Sequence, residues 1–358
     1  MRILIANPFG IGDVLFSLPL VQAVRRAHPQ GFLGYLCNRR TVELVEAWPE
    51  LDWHCVFEKD EFRAAWRRSK REGVEFLRRT VGSVQGQRFD LLLDLSLGWH
   101  YGLAAWLGGV PKRIGFDYRG RGRFLTDRVP LVGFDRRSVA EYYLDLADRL
   151  GIARPPRAEV RLPLSEPARE AGRRYLETLG IREGKRWVGI VPGGGASWGP
   201  NAHYKQWPAE RFARLGDWIA SRFDAQILLI GDRTDAALCD EIARSMSAPA
   251  KQAIQLPSLL LLATVLQRCD LVVGNDSGPL HIAAAVGARS VTLFGPVDPS
   301  VYGPAGDRTL HRVVARGLAC QPCYRNFHLP PCPWEIACLN GLEPEQVMEA
   351  VEETLKTT

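Results

Sequence analysis

The chain contains no uninterrupted apolar run approaching the ~20 residues that a helix needs to cross a bilayer. It opens on Met1-Arg-Ile-Leu-Ile-Ala-Asn-Pro8. That stretch reads directly as a short strand and lacks the long apolar region of a signal peptide, so the expected location is the cytosol. No segment is of low complexity, and no period of about 20–50 residues repeats, which excludes solenoids and propellers. Two common nucleotide signatures are also missing. After Gly10 and Gly12 a dinucleotide fingerprint would place a third glycine at position 15, where Leu15 stands. The glycine-rich stretch Val191-Pro-Gly-Gly-Gly-Ala-Ser-Trp-Gly-Pro200 lacks the Gly-Lys-Ser/Thr ending of a Walker loop.

What is present is the composition of a globular protein: 358 residues, 46% hydrophobic and 24% charged. That length exceeds one typical core and predicts two domains. The formal charge of +6 is uneven: residues 1–155 hold 24 Lys/Arg against 18 Asp/Glu, while residues 156–358 hold 22 of each. The N-terminal half therefore suits an acidic partner such as a phosphorylated glycolipid, an anionic membrane surface or nucleic acid, the alternative being a basic surface that serves solubility alone.

Strand-like and helical patterns alternate through both halves. Arg2–Ala6, Phe32–Cys37 and Phe89–Asp94 read as strands in the first half, with helices over Val14–Ala27, Thr41–Trp48, Asp60–Val81 and Ser138–Leu150. A proline-rich stretch, Ala153-Arg-Pro-Pro-Arg-Ala158, reads as a linker. The alternation then resumes with strands at Trp187–Val191, Ala225–Ile230, Leu271–Val273 and Ser290–Phe294, and helices at Pro208–Ser221, Asp235–Ser245 and Glu343–Leu355. Such repetition predicts an α/β protein with parallel sheets, and two such domains in series predict a cleft facing the strand C-termini.

Chemistry-bearing residues collect at those strand ends. Asp13 follows the first strand in Asn7-Pro-Phe-Gly-Ile-Gly-Asp-Val14. A carboxylate there suits a general base that takes a proton from an attacking hydroxyl; the other reading is a helix cap. The loop Gly193-Gly194-Gly195 with Ser197 can wrap phosphate oxygens with backbone N–H groups, and Lys205 can supply a cation for a diphosphate. Asp232, at the tip of Leu228-Leu-Ile-Gly-Asp-Arg233, could hold a ribose or base edge, though a plain turn fits equally. Asp276-Ser-Gly-Pro-Leu-His281 leads from a strand into a small-residue helix, a natural anion site where Asp276 and Ser277 can cap the helix and Gly278 admits close approach. His281 would touch a phosphate or fix the helix start.

In combination, Gly12-Asp-Val-Leu-Phe-Ser-Leu-Pro19, Pro192-Gly-Gly with Ser197-Trp-Gly-Pro200, Lys205-Gln-Trp-Pro208, Asn275–His281 and Phe294-Gly-Pro-Val-Asp-Pro299 resemble the motifs of the ADP-heptose:lipopolysaccharide heptosyltransferase family. Lys112-Arg-Ile-Gly-Phe116 and the helix Glu141–Gly151 are similar to its N-terminal domain, so the likeness runs through nearly the whole chain. The chain departs from the family pattern in a longer Pro200–Lys205 stretch, in Gln206 and in Phe16.

The resemblance implies a GT-B fold, with two Rossmann-like domains facing across a cleft, and inverting transfer of heptose from ADP-heptose to an inner-core acceptor. The expected parts are an acceptor-binding domain at 1–155, an ADP-sugar domain at 168–315, a cysteine-rich loop at 316–340 and a final helix at 341–358. It further implies Asp13 as base and Lys205 near the diphosphate. Gly12, Gly193, Gly194, Ser197 and Asp232 complete the expected donor set with Asp276, Ser277, Gly278 and His281. No catalytic metal is expected, in keeping with the lack of an Asp-x-Asp motif at a strand end.

Arg113, Arg119, Arg121 and Arg123 offer guanidinium forks for an anionic acceptor, or form a solvated loop. The helix Glu61–Arg79 carries seven Lys/Arg beside Phe62, Trp66 and Phe76. It would either rest on the anionic inner leaflet, a peripheral contact, or pack its aromatics inward.

Of eight cysteines, four form the cluster Cys320-Gln-Pro-Cys323, Cys332 and Cys338. In a reducing cytosol this set reads as a structural zinc or iron site, with His328 as a substitute ligand and free thiols or a disulfide as the alternative. A similar tail occurs in part of the family, including protein-modifying members with an iron-bearing finger. Two competing functions follow. One is another GT-B nucleotide-sugar enzyme, such as a protein O-heptosyltransferase acting on a protein acceptor. The other is a non-enzymatic zinc protein binding nucleic acid, disfavoured because the basic residues and the cysteines lie at opposite ends of the chain.

Overall fold

The computed structural model describes residues 1–181 and 184–356, in two units, Met1–Ala158 and Glu159–Thr358. Six parallel strands form the first sheet: β1 Arg2–Ala6, β2 Phe32–Cys37, β3 Trp53–Val56, β4 Leu91–Asp94, β5 Lys112–Tyr118 and β6 Asp127–Leu131, in the order β3-β2-β1-β4-β5-β6. The second unit repeats the plan with β7 Trp187–Val191, β8 Gln226–Gly231, β9 Ala250–Ile254, β10 Leu271–Asn275, β11 Ser290–Leu293 and β12 His311–Val314, in the order β12-β11-β10-β7-β8-β9.

Counted within each unit, both orders are 3-2-1-4-5-6, the doubly wound Rossmann order. The central strands β4, β7 and β10 are buried at every residue because helices cover both faces, so they read as continuous apolar runs. In such a sheet ligands bind beyond the strand C-termini where the order reverses, which is between β1 and β4 in one unit and between β7 and β10 in the other. Ala6 pairs with Asp94 at the first point and Val191 with Gly274 at the second.

Two expected helices are each broken in two. Val14–Ala27 is replaced by Ile11–Phe16 and Leu18–Ala27. Pro19 sits at the start of the second, where its missing N–H costs nothing, and the Ser17 hydroxyl turns to the Val14 carbonyl at 2.7 Å. Asp60–Val81 is replaced by Lys59–Arg68 and Lys70–Gly86. Ser69 is extended there, and its hydroxyl accepts the Glu72 N–H at 3.0 Å, so a Ser-x-x-Glu start interrupts the helix.

The C-terminal helix Pro344–Lys356 belongs to the core of the second unit, where Val347, Val351 and Leu355 join the cluster of Ile190, Phe212 and Leu271. Trp207 Nε1 donates to the Leu342 carbonyl at 2.9 Å just before it.

Candidate active site

At the β7/β10 switch point the strand tips are tied together by one buried amide. Asn275 Oδ1 accepts the Trp207 N–H at 3.2 Å, and its Nδ2 donates to the Pro192 carbonyl at 2.6 Å. The glycine loop after β7 is thereby fixed to the tip of β10. A side chain at Gly194 would overlap the Ala202 carbonyl, and Gly195 holds φ +87°, with room for a Cβ only 3.6 Å from that of Ser277. The loop backbone therefore lies close over Ser277, an approach that glycine permits.

Ser277 precedes the helix Gly278–Ala285 in extended conformation, but its side chain makes no cap hydrogen bond. It is 5% exposed, and its Oγ has no hydrogen-bond partner among the described residues. The expected capping by Asp276 and Ser277 is thus corrected. Asp276 is occupied elsewhere, and Ser277 leaves a buried hydroxyl unsatisfied beside the positive end of a helix. A buried polar group without a partner costs about 1–3 kcal/mol, a cost that an anionic ligand oxygen would remove.

The Asp276 carboxylate holds Lys205: Nζ stands 2.6 Å from Oδ2, and His281 Nε2 lies 3.6 Å from Oδ1. Burial works to raise the Asp276 carboxyl, but Lys205 and His281 outweigh it and leave it below its ordinary value. The Trp198 ring lies 4.8 Å from Lys205 Nζ, a cation–π contact. Lys205 is accordingly a desolvated, pre-positioned cation.

Ser197 is exposed on the irregular helical stretch Ala196–Lys205, which kinks at Gly199. Asp232, also exposed beyond β8, accepts the Thr234 N–H and hydroxyl, each at 2.6 Å. Asp235 was not anticipated from the sequence. Its carboxylate crowds Gly193, accepts the Asp232 N–H at 3.2 Å, and is pushed up by burial.

In the first unit, two buried asparagines at strand ends shape the turn that bears Asp13. Asn7 Nδ2 donates to the Asp13 carbonyl at 3.0 Å, and Asn38 Nδ2 donates to those of Pro8 and Phe9 at 3.1 and 2.5 Å. Asp13 is half-buried in the first helical turn, next to Gly12. Asp94 ends β4 beside Ala6, is 4% exposed, and accepts the Ser96 N–H at 2.9 Å. Burial pushes it up to about 6, with Ser96 opposing.

The four arginines divide. Arg113 is gripped by backbone carbonyls, Nε to Phe124 at 2.6 Å and Nη1 to Val110 at 2.5 Å. Arg119 and Arg121 lie over Tyr118 at 5.0 and 5.4 Å, and Arg123 over Trp99 at 4.7 Å, all three exposed.

The cysteine segment docks on the second unit. Gln321 Nε2 donates to the Gly295 carbonyl at 2.7 Å, and the Cys323 and Tyr324 N–H groups to Pro296 at 3.0 and 2.9 Å. Tyr324 reaches Trp198, ring centres 5.2 Å apart. Cys320 is exposed, Cys323 and Cys332 are half-buried and Cys338 is buried, all as free thiols. Burial, then Cys320 and Cys332, push the Cys323 thiol up; burial, then Cys323 and Cys332, push Cys338 up to about 11. No group of three or more His, Cys, Asp or Glu among the described residues is arranged to hold a metal ion. His328 instead pairs backbone to backbone with Arg325.

Comparison with known proteins gives one family. The model for glycosyltransferase family 9 (heptosyltransferase) matches residues 77–329. Lipooligosaccharide heptosyltransferase 2 of Campylobacter jejuni is 30% identical over 189 residues, 52% of this chain and 56% of that protein; the chain thus spans about half the length of that relative. Lipopolysaccharide heptosyltransferase 2 of Escherichia coli K12 is 25% identical over 323 residues, 85% of each. The solved structure of the Escherichia coli ADP-heptose LPS heptosyltransferase II superposes with a TM-score of 0.76 at 22% identity, covering 99% of this chain and 98% of that one. The likeness extends the doubly wound order of each sheet to a shared GT-B fold.

Proposed function

The chain belongs to glycosyltransferase family 9, the heptosyltransferases, and from that premise we propose that it moves heptose from ADP-heptose to a hydroxyl of the lipopolysaccharide inner core, with inversion at the anomeric carbon. The observation that carries this reading is the unpartnered Ser277 hydroxyl at a helix N-terminus, beside the buried Lys205 ammonium.

In this reading the donor diphosphate takes hydrogen bonds from Ser277 Oγ, from the first N–H groups of Gly278–Ala285 and from the Gly193–Gly195 backbone. Lys205, steadied by Asp276, offsets the charge that grows on the departing phosphate. Asp232 serves the ribose, and Asp235 keeps the glycine loop in place. Asp13 accepts the proton of the acceptor hydroxyl as its oxygen bonds to the anomeric carbon. The bond to the β-phosphate oxygen breaks on the opposite face, and its electron pair leaves with ADP. Arg119, Arg121 and Arg123 meet anionic groups of the acceptor, while Arg113 holds the loop that presents them.

The protein works at the cytoplasmic face of the inner membrane, with the basic helical pair Lys59–Arg68 and Lys70–Gly86 as a peripheral contact. Cys320, Cys323, Cys332 and Cys338 are the donor set for a structural zinc or iron ion, supported by their clustering in one docked loop as four free thiols, which would have to draw together around the ion.

The test is transfer by Asp13→Ala. It should lose at least about a hundredfold in turnover, the range of a lost general base, while ADP binding stays unchanged. Turnover near that of the parent chain would remove Asp13 from its role. Comparing an inner-core lipopolysaccharide with a protein as acceptor tests the acceptor class.

A further inference from the structure

The first unit holds a cavity of about 490 Å³ to which the proposed transfer assigns no role. Its floor is one face of the sheet, Leu4, Ala6, Leu36 and Leu92, none more than 4% exposed. The helices Lys59–Arg68, Lys70–Gly86 and Trp99–Leu107 form its walls. Protein interiors leave few voids larger than a water molecule, and this one falls in the ~300–1,000 Å³ range of small-molecule sites.

The lining states the chemistry of an occupant. The interior is aliphatic and aromatic, so water would find few partners there and a nucleotide or sugar none for most of its polar atoms. Where the cavity meets solvent, Arg63, Trp66, Arg67 and His100 are exposed, and among the described residues no carboxylate lines it. One buried polar atom faces no partner: the Tyr101 hydroxyl, on a residue 8% exposed that lines the cavity. An apolar interior with a cationic edge and an exposed tryptophan matches a chain tipped by an anion.

We propose that this cavity binds one fatty-acyl chain of an anionic lipid, with the headgroup on Arg63 and Arg67. Helix Lys59–Arg68 thus serves as one wall of a lipid site as well as a charged surface. Lipid binding in this cavity needs neither donor nor nucleotide.

The experiment uses the full chain and cis-parinaric acid, whose fluorescence rises on entering an apolar site. Saturable binding of one probe per chain is expected. Palmitoyl lysophosphatidic acid should displace it at about tenfold lower concentration than the uncharged monopalmitoyl glycerol. Ala104→Trp, which fills the cavity from its wall, should weaken probe binding by about tenfold or more. The surface pair Arg63→Ala with Arg67→Ala should erase the preference for the charged lipid and leave binding of the neutral one unchanged. Absence of saturable binding, unaltered affinity in a folded Ala104→Trp chain, or a retained charge preference in the double variant would each overturn the proposal.

Discussion

Lys205 Nζ lies 2.6 Å from Asp276 Oδ2, and neither side chain is more than 8% exposed. Removing water from both charges is expensive, and the pair is tolerable only because each partner answers the other. In the proposed reaction this pair holds a cation ready at the mouth of a helix N-terminus.

Breaking that pair on one side should therefore cost far more than removing both charges. Lys205→Met leaves a buried carboxylate and should destabilise the fold by about 3–5 kcal/mol. Adding Asp276→Leu should recover a large part of that loss, read as coupling in a denaturant-based double-mutant cycle. The pH sign follows from the lowered Asp276 value. Its contribution is present above the ordinary carboxyl range near 3.8 and lost as pH falls through the lower native value. Additive single effects would contradict the assignment.

Asp94 behaves in the opposite sense. Its native value is raised from 3.8 to about 6, so the native state binds the proton more tightly than the unfolded chain. Stability should fall as pH rises across that interval and stay level above it, a penalty of roughly 3 kcal/mol by the size of the shift. Asp94→Asn keeps an oxygen for the Ser96 N–H and removes the ionisation. Thermal melts should show the variant gaining on the parent chain with pH from about 4 to 6 and holding that gain at neutrality. Parallel pH profiles would show that Asp94 is not the titrating group.

The cysteine segment gives a compositional test. Protein prepared under reducing conditions should carry about one zinc or iron ion per chain, and Cys323→Ser should abolish it. Because Tyr324 touches Trp198 and Trp198 covers Lys205, losing the ion should also alter Trp fluorescence on ADP addition. Metal-free protein with intact thiols would dispose of the site.

The two-unit plan was legible because β4, β7 and β10 are buried throughout and so appear as unbroken apolar runs. The outer strands β6, β9 and β12 are half-exposed, carry Asp127, Lys251 and Arg312, and left no such trace. Helix boundaries failed where a side chain competes with the backbone, as at Ser69, whose partner Glu72 was a readable signal. The site was legible as glycine turns and charged residues at strand ends. Its wiring was not. Asn275 and Asn38 act through backbone carbonyls far away in sequence, Asn7 ties down the local turn to Asp13, and Asp235 acts by crowding Gly193; the long-range contacts exist only once the sheets assemble.

The most direct measurement is a crystal structure of the chain with ADP. The diphosphate should lie at the end of β10, with an oxygen within hydrogen-bond reach of Ser277 Oγ and another facing Lys205 Nζ. Phosphates bound elsewhere, with the Ser277 hydroxyl still unpartnered, would contradict the central claim.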